Sequence, residues 1–83
     1  MVIEENWAVD PERIRAFFAD QPGAAVLENG FLLDGCAVTL TAAPGMLLGR
    51  WKTVRTMIRF EGEPEAVENV HRRFFLRFLS AGG

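Results

Sequence analysis

Cys36 is the single cysteine of this 83-residue chain, and this feature does most to limit what the chain can fold into. A small domain without disulfide bonds depends on its hydrophobic core for stability. A chain of this size buries only about 60% of the surface that its unfolded form exposes. Because 49% of the residues are hydrophobic, such a core is feasible, and the sequence predicts a single domain over residues 1–83.

The segment 64–80 shows how that apolar content is used. Its stretch HRRFFLRFL, at 71–79, interleaves arginines with phenylalanines. On a helical wheel the apolar side chains share one arc and the arginines flank it; the arc contains Val67, Val70, Phe74, Phe75, Phe78 and Leu79. Burying one phenylalanine contributes roughly 1.5–3 kcal/mol, which a domain this small needs. We therefore predict a core helix and not a helix that binds a membrane or nucleic acid.

An earlier helix is predicted from its end signals. Asp10 suits the N-cap and Pro11 the first helical position, and the Gln-Pro-Gly sequence at 21–23 ends the helix. Residues 1–7 contain too few apolar positions to distinguish an irregular segment from a short edge strand.

The middle of the chain has the patterns of β-structure. Asn29-Gly30 is a strong hairpin signal, because both central residues of a type I′ turn need positive φ. Asp34-Gly35 predicts a second turn or a bulge. Alternation at 36–42 and the β-branched and aromatic residues at 50–60 predict two further strands. The predicted fold is α+β in the order α-β-β-β-α, with a three-stranded, or four-stranded, antiparallel sheet and two helices packed on one face.

Charge is divided unevenly along the chain. Residues 1–49 carry a net charge of −5 and residues 50–83 a net charge of +3. The overall pI of about 5.3 argues against a dedicated nucleic-acid-binding protein. Residues 50–59 contain four basic side chains and no acidic one, and we call this segment the basic strip.

The outward side of the predicted strand in the basic strip holds the candidate binding residues Trp51, Arg55, Met57 and Arg59. Three interpretations are open. The surface is a solvated sheet face paired with the acidic N-terminal half, or an interface with another protein, where Trp, Met and Arg are enriched. In the third, it binds an anionic ligand or nucleic acid, with Trp51 as a stacking platform.

Few residues favour catalysis. His71 is the single histidine, and with Cys36 it could form a thiolate–imidazole pair, but the sequence leaves their distance open. The carboxylates lack the spacing of a metal site. The sequence therefore predicts no catalytic residues, no metal, no cofactor and no enzyme activity.

The leading functional hypothesis is a non-enzymatic small interaction module that self-associates through an open sheet face. Its partner would be a second copy or another protein; the alternative is anionic-ligand or nucleic-acid binding by the basic strip. The acidic start MVIEENW does not resemble a signal peptide, and no run is long enough to span a bilayer. We expect a cytoplasmic protein without membrane contact.

Overall fold

The computed structural model describes residues 1–43, 47–48, 51–52 and 55–82, with side-chain environments for 1–43 and 55–79. The elements, in chain order, are β1 (Val2–Trp7), α1 (Pro11–Ala19), β2 (Ala25–Leu27), β3 (Gly30–Leu33), β4 (Cys36–Ala43), β5 (Leu47–Leu48), β6 (Trp51–Lys52), β7 (Arg55–Gly62) and α2 (Pro64–Gly82).

Five strands form one sheet in the spatial order β1-β7-β4-β3-β2, and every neighbouring pair is antiparallel. The prediction of three or four strands in the order α-β-β-β-α is therefore wrong. The sheet has five strands, and together with the two helices they follow one another along the chain in the order β-α-β-β-β-β-α. The strand predicted over 50–60 is also divided. Its residues 51–52 form β6, which pairs with β5 in a separate two-stranded sheet, and β7 begins at Arg55.

The sequence of strand β1 has a weak strand signal and does not distinguish a strand from an irregular segment. Its inward side chains are Ile3, Glu5 and Trp7, and each is only partly buried. An edge strand covered on part of one face does not need strict apolar alternation, so the period-two pattern is faint. Its place is set by pairing with β7, from Val2 opposite Glu61 to Trp7 opposite Thr56, which no local pattern reveals.

The turns differ from the expectation in one respect. The two-residue type I′ geometry occurs at Asp34-Gly35, where φ is 48° and 83°, and it connects β3 to β4. At the predicted site, Leu27 pairs with Gly30, so the connection consists of residues 28–29, and neither has positive φ. Gly30 is required for a different reason: a Cβ there would lie 1.8 Å from the carbonyl oxygen of Val38.

Both helices pack on the same face of the five-stranded sheet and close one core. Helix α1 contributes Ile14 and Phe18, which are fully buried. Helix α2 contributes Val67, Val70, Phe74 and Phe78, none more than 1% exposed. The prediction that the phenylalanine-rich segment is a core helix is confirmed, although two residues of the predicted apolar arc lie outside the core, with Phe75 37% and Leu79 52% exposed.

Candidate functional site

The face of the five-stranded sheet that points away from the helices is called the open face. The strand registers define which side chains share it. One row across the sheet contains Val2, Glu61, Ala37, Leu32 and Ala25. The next contains Glu4, Arg59, Thr39, Gly30 and Leu27. A third row begins with Asn6, Met57 and Thr41.

Apolar and charged residues are separated on the open face. Around β2 and β3 it is apolar, with Leu27 47% and Leu32 44% exposed. Around β1 and β7 it is charged. Arg59 lies 3.6 Å from Glu4 and 3.1 Å from Glu61, and the Arg55 Nε donates a hydrogen bond of 2.6 Å to the Asn6 Oδ1. The guanidinium groups thus already have acceptors within the chain.

The four predicted binding residues do not all lie on this face. Arg55, Met57 and Arg59 project from β7 on the open face. Trp51 lies in β6, in the separate two-stranded sheet, and Arg50 lies outside the described residues. Sequence reasoning missed Leu27 and Leu32. Leu32 lies between the buried Phe31 and Leu33 in β3. A leucine at the solvent-facing position of a short strand is the sequence signal that would have indicated an exposed apolar surface.

A second polar cluster joins β1 to α2. The Glu5 Oε1 accepts a hydrogen bond of 2.9 Å from the Trp7 indole Nε1 and lies 2.9 Å from the His71 Nε2. Burial of the Glu5 carboxyl opposes its ionisation, but the hydrogen bonds from Trp7 and His71 and the charge of His71 outweigh it, so the pKa of Glu5 is lowered. The three side chains hold the edge strand against the helix.

A shallow groove of about 330 Å³ lies beside this cluster. Its lining consists of Ile3, Glu68, His71, Arg72 and Phe75. The lining offers an imidazole, a carboxylate and a guanidinium, and it contains no hydroxyl or thiol that could act as a nucleophile. Within the described part of the chain, no group of three or more His, Cys, Asp or Glu is placed to hold a metal ion.

The hypothetical Cys36–His71 pair does not have the features of an activated thiol and its base. Cys36 is fully buried, and burial raises the pKa of its thiol, whereas an activated cysteine needs a lowered pKa. Its sulfur lies 3.8 Å from the Ala37 carbonyl oxygen. The His71 Nε2 is bonded to Glu5.

Comparison with known proteins gives one result. A family model described as archaeal MoaD-like protein matches residues 4–83. The chain belongs to this family. No curated protein and no solved structure gives a significant match. The family match covers almost the whole chain, which is a small compact α+β module. Among the helices of the described residues, none is long and apolar enough to cross a membrane.

Proposed function

We propose that this member of the archaeal MoaD-like family is a non-enzymatic interaction module that associates with a second copy of itself through the open face. The observation that carries the proposal is the exposure of large apolar side chains on a sheet face that the helices leave uncovered: Leu27 is 47% and Leu32 44% exposed on the neighbouring strands β2 and β3. Contiguous exposed apolar surface with a polar border marks interaction sites.

The charges of the open face favour a second copy as the partner. Glu61 lies near one end of β7 and Arg55 at the other. A two-fold axis that reverses the strand direction would place the Arg55 of one copy near the Glu61 of the other. Such an arrangement brings opposite charges together at both ends, which favours this pairing over a like-charged one.

Binding of an anionic ligand by the basic strip has less support. Arg59 is already close to Glu4 and Glu61, and Arg55 is bonded to Asn6. An anion would have to displace these contacts. For the same reason, the contacts of Arg55 and Arg59 with neighbouring side chains support the interpretation of the open face as a solvated surface more than they support nucleic-acid binding.

Sedimentation equilibrium tests the proposal over protein concentrations from about 10 μM to about 500 μM, a range suited to weak complexes. Leu32→Glu places a charge in the apolar part of the open face, where Leu32 is 44% exposed, and we expect it to weaken self-association at least about tenfold. Leu76→Glu is the matched control, because Leu76 is 65% exposed on α2. A monomer at every concentration, or equal effects of the two substitutions, would show the proposal to be wrong.

A further inference from the structure

Strand β2 is an edge of the five-stranded sheet with no charged residue along its length. Its sequence is Ala-Val-Leu, and all three residues are exposed. Val26 is 75% exposed, although it points toward the face that carries the helices. In the described part of the chain, β3 is the sole strand neighbour of β2. Proteins usually protect such an edge with charge, proline or a covering segment.

The hydrogen-bond pattern of the hairpins shows which backbone groups this edge leaves unpaired. The Leu40 N–H donates to the Asn29 carbonyl over 2.9 Å, which continues the β3–β4 register. Because hydrogen-bonded pairs alternate with non-bonded pairs, Phe31 and Leu33 point their backbone groups at β4, and Gly30 and Leu32 point theirs at β2.

It follows that Ala25 and Leu27 are bonded to β3 through their partners Leu32 and Gly30. Val26, opposite Phe31, therefore directs both its N–H and its C=O away from the sheet. The edge thus offers one donor and one acceptor from a single residue, at the centre of the strand.

We infer that β2 of one copy pairs antiparallel with β2 of a second copy about a two-fold axis at Val26, so that two five-stranded sheets become one continuous sheet. This inference rests on the proposed self-association and adds a second interface to it, which joins a different pair of copies because one two-fold axis cannot create both contacts. The two Val26 residues would exchange both hydrogen bonds, and Leu27 of each copy would lie opposite Ala25 of the other.

The charges near the edge permit this register. The nearest ionisable residue beyond the strand is Glu28, and in an antiparallel pair centred on Val26 it lies opposite Ala24 of the other copy. The two Glu28 side chains are then about four residues apart along the strand direction, roughly 14 Å. Like charges therefore do not meet, and apolar side chains do. A contact of this size is small, so we expect a weak dimer.

The first experiment removes the outward donor alone. Val26→Pro deletes an N–H that makes no bond to the described residues, and proline is tolerated on an edge strand when its missing N–H faces solvent. Val26→Ala is the matched control, because it keeps the backbone groups and trims the side chain. We expect sedimentation equilibrium to show dimer dissociation constants raised at least about tenfold by Val26→Pro and less than about threefold by Val26→Ala.

The second experiment tests the register. Val26→Cys places two thiols opposite each other with Cα atoms about 5.5 Å apart, within disulfide range. Glu28→Cys is the control, because its two thiols would be roughly 14 Å apart. Native Cys36 is fully buried and provides no competing thiol. Mild oxidation should give a covalent dimer of the first variant and not of the second.

The outcomes separate the two proposals. A wild-type protein that is monomeric throughout overturns both of them. Association that Leu32→Glu abolishes and Val26→Pro leaves unchanged, with no cross-link at residue 26, supports the open face and overturns edge pairing. Equal cross-linking of Val26→Cys and Glu28→Cys overturns the proposed register. Loss of association with Val26→Pro, together with cross-linking confined to residue 26, supports the inference.

Discussion

The sheet ends in two edges of opposite character, β1 and β2. Strand β1 has six residues, VIEENW, two of them glutamates, whereas β2 has three residues and no charge. Among the residues that the structure describes, both edges leave backbone groups unpaired. Met1 and Gly62 exchange backbone hydrogen bonds, so the outward groups of β1 belong to Val2, Glu4 and Asn6. Pairing two β1 strands about a two-fold axis at Glu4 would bring two carboxylates face to face.

The edges also differ in how they are attached to the helices. The Trp7 ring of β1 makes edge-to-face contacts with Phe74 at 5.0 Å and Phe75 at 5.9 Å, and Glu5 is bonded to His71. The helix-side residue of β2, Val26, is three-quarters exposed. Strand β1 is thus fixed to helix α2 by its own side chains, and its glutamates would repel a second β1 strand. Strand β2 has neither the contacts with a helix nor the charge.

The largest predicted effect is on stability, and it tests whether β1 is held by the helices more strongly than β2. We expect Trp7→Ala to lower the free energy of unfolding by about 2–4 kcal/mol, because it removes the aromatic contacts of a large, partly buried ring. Val26→Ala should change it by less than about 0.5 kcal/mol. Urea unfolding of both variants, at a concentration where the protein is monomeric, makes the comparison. Similar losses in the two variants would show that β1 and β2 are equally attached.

A pH-dependent effect is expected next in size, at the carboxylate of β1. The pKa of Glu5 is lowered in the folded protein, so its ionised form stabilises the fold above the unfolded pKa of about 4.3, and this contribution is lost as the pH falls through the folded pKa. Glu5→Gln should therefore be less stable than the wild type by about 1 kcal/mol at pH 6, and the difference should shrink toward pH 3.

Thermal unfolding of the two proteins between those pH values measures the effect. Glu68 and Arg72, which line the groove beside His71, are present in both proteins, so the comparison isolates the change at Glu5. A gap between wild type and Glu5→Gln that stays constant with pH would contradict a role for the Glu5 charge.

A substitution in β1 can also remove a charge from the acidic edge and make it more like the uncharged β2. Glu4→Val removes the charge that would repel a second β1 strand and keeps a residue that favours strands. We expect self-association to strengthen severalfold, as measured by sedimentation equilibrium. Glu12→Val is the control, because Glu12 is an exposed acid in the first turn of α1 and the substitution changes the net charge equally. Equal behaviour of the two variants would mean that net charge alone sets association.

The elements that could be predicted from the sequence are those held by contacts between residues close together in the chain. Helix α2 was predictable because its buried residues recur along one local arc, from Val67 to Phe78. The outward placement of Arg55, Met57 and Arg59 followed from alternation in β7. Strand β1 was not predictable, since its partner strand lies 49 to 59 residues away in sequence, from Trp7 opposite Thr56 to Val2 opposite Glu61.

The turn chemistry and the apolar part of the open face show a second limit. Asn29-Gly30 and Asp34-Gly35 have nearly the same turn sequence, but their structures differ. Gly30 is needed because β4 lies too close for a Cβ, whereas Asp34 and Gly35 both adopt positive φ. The exposure of Leu27 and Leu32 depends on where the sheet ends. A sequence with apolar residues on both sides of a short strand does not reveal which side the helices cover.

The smallest effect concerns the ion pairs between the acidic edge and its neighbour. Arg59 lies close to Glu4 and Glu61, and all three side chains are about half exposed. Exposed pairs contribute about 0–1 kcal/mol and are screened by salt. Arg59→Ala should therefore lower the free energy of unfolding by less than about 1 kcal/mol, and the loss should nearly vanish at about 1 M salt. A larger, salt-independent loss would mean that Arg59 stabilises β1 by packing, and that the charged edge is held in place by more than electrostatics.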